Sequence, residues 1–117
     1  MPPKVHRDLL DQTIAGLRPT DTDWVCSQFA KQRAGFNDHG HRMFGVMLKR
    51  LDAMQNALCG GAELTAEQRA TATAAMKYFF AQADYIEDEY HEVGYVDDAL
   101  VIEEAMKRLE GAIQDPA

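Results

Sequence analysis

The chain has a single serine, two cysteines and no apolar run near the length needed to cross a bilayer. Each scarcity removes a class of function. Ser27 has no evident base near it in sequence, so nothing points to a serine nucleophile. A nucleophile elbow, a phosphate-binding loop and an HExxH pair are all missing. Cys26 and Cys59 lie far apart and form no CxxC pair, so they read as two ordinary buried or half-buried thiols rather than a disulfide framework. No stretch alternates polar and apolar residues as a half-buried strand would. The first residues, Met1 to Asp8, contain no apolar stretch of signal-peptide type, and the simplest expectation is a cytoplasmic protein.

What is present reads as helix throughout. A chain of 117 residues is long enough to bury a core as one domain, residues 1–117, and it shows no repeat or linker. The first helix is expected at about Lys4 to Leu17, where Leu10, Ile14 and Leu17 share a face and Gly16 and Pro19 end the run. Thr20-Asp21-Thr22-Asp23 is a start signal for a second helix, to about Arg33, with Trp24, Val25, Phe29 and Cys26 directed inward. The third, His41 to Leu58, carries an apolar stripe of Phe44, Met47, Leu48, Leu51, Met54 and Leu58, closed by Cys59-Gly60-Gly61. Thr65 with Gln68 has capping-box spacing and opens an Ala-rich fourth helix, whose apolar face includes Met76, Phe79, Phe80 and Ala83. A fifth is expected to begin at Asp97 or Asp98, with Leu100 or Val101, Ala105, Leu109 and Ile113 inward. The fold class is therefore all-α, a compact bundle of four to five helices with an acidic helix-turn-helix at its C-terminal end.

Charge is distributed unevenly along this bundle. The first 77 residues hold ten Lys/Arg and eight Asp/Glu, a balance of +2, and the last 40 hold two against eleven, a balance of −9. Between Tyr78 and Met106 there is no Lys or Arg, and there are nine carboxylates: Asp84, Glu87, Asp88, Glu89, Glu92, Asp97, Asp98, Glu103 and Glu104. Such a field repels nucleic acid and anionic lipid and attracts cations or a basic protein surface.

Inside that block the pattern Asp84-Tyr85-Ile86-Glu87-Asp88, five residues, then Gly94-Tyr95-Val96-Asp97-Asp98 resembles the signature of the YkvA-like family of small bacterial helical domains, whose function is largely unknown. That family shows Asp-x-Ile-Pro-Asp, a short loop and Gly-x-x-Asp-Asp between two apolar helices. Asp84, Ile86, Asp88, Gly94, Asp97 and Asp98 match it in kind and spacing, and the resemblance runs from about Ala70 to Leu109. Glu87 and His91 stand where the family has proline, and the acidic loop argues against the membrane association described for some members.

The resemblance implies no mechanism, so the carboxylates are read directly. If the fourth helix continues through Ile86, Asp84 and Asp88 fall on one helical face, and Asp97 and Asp98 open the returning helix. The leading expectation is a non-enzymatic interaction or regulatory protein. Its acidic surface of Asp84, Glu87, Asp88, Glu89, Tyr90, Glu92, Tyr95, Asp97 and Asp98 would meet a basic protein partner. The alternatives are a divalent-metal domain using Asp84, Asp88, Asp97 and Asp98 for Mg²⁺, Mn²⁺ or Ca²⁺, and an acidic mimic of nucleic acid. The blander role of Asp97 and Asp98 is to cap a helix start, which is preferred to ligation. The repeated histidine of Asn37-Asp38-His39-Gly40-His41 is a weak zinc signal beside a plain polar turn in which Asp38 or Asn37 caps the third helix. Catalytic residues, a cofactor, direct nucleic-acid binding and a membrane segment are not expected. The apolar stripes are broad enough to leave self-association open.

Overall fold

Residues 71–76, Thr-Ala-Thr-Ala-Ala-Met, are all buried, and this run organises the molecule. The computed structural model describes residues 3–37, 40–83 and 91–116, with side chains over 5–37, 40–81 and 96–116. The elements are α1 Pro3–Ala15, α2 Asp21–Gln32, a 3-10 turn at Arg33–Gly35, α3 Arg42–Cys59, α4 Ala66–Ala83 and α5 His91–Arg108. The all-α bundle is as expected, and no strand occurs among the described residues. Nor, among them, is any helix long and apolar enough to cross a membrane.

α4 touches each of the other four α-helices. A helix enclosed all round needs apolar or self-satisfied side chains on every face. Small Ala and Thr residues let four neighbours approach closely. Their two hydroxyls are spoken for: Thr71 Oγ1 donates to the Glu67 carbonyl at 2.9 Å, and Thr73 Oγ1 lies 2.9 Å from Thr22 Oγ1. Around this post the contacts run α1 to α5, α5 to α3 and α3 to α2, and among the described residues α1 does not touch α2. The ring is therefore open on one side, with α1 and α2 at its two edges.

The local signals that set these helices are short-range ones. Thr65 and Gln68 form the reciprocal capping box, the Thr65 N–H donating to Gln68 Oε1 at 2.8 Å and the Gln68 N–H to Thr65 Oγ1 at 3.1 Å. All six residues of the expected α3 stripe are buried. The helix closes where the Ala62 N–H reaches the Ala57 carbonyl at 3.1 Å, with Gly61 at φ +88°. α2 begins differently from expectation. No side-chain cap comes from Thr20. Instead, the buried Asp21 accepts from the Arg18 N–H at 2.7 Å and from Lys77 Nζ at 2.9 Å. Trp24, expected inward, is 39% exposed, while Val25 is fully buried. His41 stands at the α3 N-cap position and gives no side-chain cap. Asp38 and His39 lie outside the described residues.

Two expectations are overturned. Cys26 and Cys59 are not free thiols but a disulfide, with Cα atoms 5.9 Å apart, inside the usual range for such a bond. The middle of α2 rests against the last turn of α3, a tertiary adjacency that spacing along the chain does not show. Closing this loop restricts the unfolded chain and is worth about 4 kcal/mol in the loop-entropy account. Second, α5 opens at His91, so Asp97 and Asp98 lie nearly two turns inside it and cap nothing. Gly94 likewise lies within this helix.

Replacing Gly61 with alanine places a Cβ in the left-handed region and should lower stability by about 1 kcal/mol. The fall is read from the midpoint of urea unfolding, and an unchanged midpoint would mean that this cap does not hold α3.

Candidate functional site

α1 and α5 lie side by side on α4, and each contributes a polar residue at a position that its own apolar register would fill. On α1, His6 precedes the buried Leu10 by one helical repeat and is 3% exposed. On α5, Asp98 precedes the buried Ile102 by the same spacing, continues the line of Ala105 and Leu109, and is 1% exposed. Asp97, one residue earlier, is 42% exposed at its side chain, and its Oδ1 lies 3.6 Å from His6 Nε2. That contact is an ion pair only when the imidazole is protonated. Tyr78 of α4 completes the group: burial raises its phenol pKa first, and the charges of Asp98 and Asp97 add to the rise.

The electrostatics of this cluster are unusual for a small bundle. Asp98 Oδ2 and His6 Nε2 are buried and have no hydrogen-bond partner. A buried polar atom without a partner ordinarily costs on the order of 1–3 kcal/mol, more if charged. Burial, and next the neighbouring Asp97 charge, push the Asp98 carboxyl up to about 7. It therefore holds its proton over much of the range in which surface carboxylates are ionised. Asp21 is the contrast: the Arg18 N–H, then Lys77, hold its carboxyl below the usual range.

The residues expected to form the site are distributed as follows. Asp97 and Asp98 are together, the first at the surface and the second in the core, so Asp98 does not present its carboxylate outward. Asp84, Glu87, Asp88, Glu89 and Tyr90 lie outside the described residues, and described side chains resume at Val96, beyond Glu92 and Tyr95. Among the described residues no group of three or more His, Cys, Asp and Glu is arranged to hold a metal ion. His6 was missed at the level of sequence, although its place one repeat before Leu10 was a usable signal. The groove of about 410 Å³ lined by residues such as Met43, Met47 and Leu100 and that of about 480 Å³ lined by Trp24, Lys77 and Phe80 do not include the cluster.

Comparison with protein-family models, with curated proteins and with solved structures finds no match to the chain.

The linkage has a definite sign. Asp98 keeps its proton in the folded state to about pH 7, while the unfolded carboxyl loses it near 4. Between those values the folded state binds more protons, so this group's contribution makes stability fall as pH rises. Asp98→Asn removes the titration. The variant should gain on the parent as pH climbs from 4 to 8, by up to about 4 kcal/mol. Urea unfolding of both proteins across that range checks it, and a gap that stays constant with pH would refute the assignment.

Proposed function

We propose that the chain is a non-enzymatic interaction or regulatory protein whose acidic C-terminal third meets a basic protein surface. The observation that carries this reading is where the N-terminal cations go. Arg33 grips Asp52 through two bonds of 2.7 and 3.0 Å, Lys77 pairs with Asp21, and Arg50 pairs with Asp115. Among the described residues, no Lys or Arg of the first 77 pairs with a carboxylate of the 84–104 block. Glu103 and Glu104 are met from within α5, by Lys107 and Arg108 at helical i,i+4 spacing. Among the described residues, Asp97 of the block thus keeps no Lys or Arg partner and stands half-exposed beside His6. Electrostatic matching of this kind sets encounter rate and specificity more than affinity. The resemblance to the YkvA-like family and a cytoplasmic location belong to the same reading.

A second reading, a divalent-cation domain drawing on Asp84, Asp88, Asp97 and Asp98, is favoured by one observation: the buried Asp98 carboxyl has an oxygen without a partner. Carboxylate oxygens suit Mg²⁺, Mn²⁺ and Ca²⁺.

The two readings part in solution. A Lys/Arg-rich peptide titrated into the protein should bind with a Kd that weakens about ten-fold or more between low and physiological salt. Neutralising Glu87, Glu89, Glu92 and Asp97 together to Gln or Asn should weaken it by a similar factor, and peptide affinity indifferent to both changes would remove the partner reading. Thermal unfolding of chelator-treated protein with Mg²⁺, Mn²⁺ or Ca²⁺ decides the other. A rise with one ion that disappears in Asp98→Asn supports ligation, and no rise with any ion excludes it.

A further inference from the structure

The edge helix α2 is weakly built into the core. Of its residues only Val25 and Asp21 are buried, and Cys26 and Phe29 are half-buried. By contrast α3 buries six apolar side chains. Because the ring is open beside it, α2 has only α3 and α4 as helical neighbours. Its remaining ties are at its two ends. At the start these are the Thr22–Thr73 hydroxyl bond and the Asp21–Lys77 pair. Beyond its end these are Arg33 on Asp52 and the edge-on contact of Phe36 with Phe79, ring centroids 5.2 Å apart. Between these ends, the buried Val25, the half-buried Phe29 and the Cys26–Cys59 bond hold the helix down. Both cysteines are half-buried.

We propose that the Cys26–Cys59 bond is a redox-operated clasp, whose reduction loosens α2 and the 33–35 turn from α3 and α4 while α1, α3, α4 and α5 stay packed. The chemistry is thiol–disulfide exchange with a low-molecular-weight thiol such as glutathione. Its thiolate attacks one cysteine sulfur, the Cys26–Cys59 bond breaks as a mixed disulfide forms, and the departing sulfur leaves as a thiolate that takes up a proton. A second thiol then displaces the remaining protein sulfur. The protein gains two electrons and two protons, and two thiols leave as one disulfide. Oxidation runs the same steps backward and seats the helix again. The four-helix remainder keeps contacts of its own: α3 packs on α5 as well as on α4, and α1 packs on both α4 and α5. Local opening of an edge element below the free energy of global unfolding is the behaviour expected of such a unit.

The molecule carries its own reporter, since its only tryptophan, Trp24, sits on α2. The test compares amide hydrogen exchange of the full chain, oxidised and then reduced in the folded state, with the state of the cysteines verified by intact mass. Cys26→Ser/Cys59→Ser serves as a second reduced form. The expected result is exchange about ten-fold or more faster over residues 21–35, little change in α3 to α5, and a red shift of Trp24 emission that follows the glutathione redox ratio. Unchanged protection of α2 after reduction would overturn the proposal. So would loss of protection by all helices together, resistance of the bond to reductant without denaturant, or two free thiols in the oxidised protein. If the double variant does not fold, reduction of the parent protein still decides the matter.

Discussion

The enclosure of α4 is the constraint from which the rest follows. A helix with no outward face over residues 71–76 must be surrounded, and five helices joined by short connections can do this only by placing four of them around one. Once α4 is central, α1 and α5 become neighbours, and so do α3 and α2. The first adjacency brings His6 against Asp97 and encloses Asp98. The second brings Cys26 against Cys59. Both the buried titratable cluster and the covalent link are consequences of that one arrangement.

Local features were legible in the sequence because they depend on residues a few positions apart. The α3 stripe from Phe44 to Leu58, the Thr65–Gln68 capping box and the glycine closing α3 are of this kind, and the structure contains each of them. The failures were of two sorts. Cys26–Cys59 and His6–Asp97 join residues from distant parts of the chain, and spacing along one helix cannot show which helices will touch. The start of α5 failed for a different reason. Consecutive aspartates are good helix-opening residues, so Asp97 and Asp98 were given that role, and the helix in fact begins at His91. Moving the boundary turns a capping residue into a core one. The register with Ile102, Ala105 and Leu109 was there to be read, but an aspartate at an apolar position is discounted when a capping role offers itself. Trp24 shows the converse: a large apolar residue on an edge helix need not be in the core.

The two polar groups enclosed between α1 and α5 set the character of this end of the bundle. An apolar pair at these positions would pack without penalty, and the carboxyl and imidazole do not. The cost can be met by a proton held on Asp98, or by a cation brought from outside. These are competing ways of neutralising the same buried oxygen, so occupancy by a cation and protonation would oppose one another. Asp97, half-exposed beside His6, is where the buried pair meets solvent.

The open side of the ring also bears on the order in which the molecule can assemble. α1 is first in the chain, yet its helical neighbours are α4 and α5, and it does not touch the α2 that follows it among the described residues. Contacts that join distant parts of a chain must wait for the intervening loop to close. During synthesis, which proceeds from the N-terminus, α1 therefore emerges before both helices it docks on, α4 and then α5. Leu10 and the enclosed His6 remain open to solvent or to other proteins until those helices follow. α1 is thus held in place by helices that lie far beyond it along the chain.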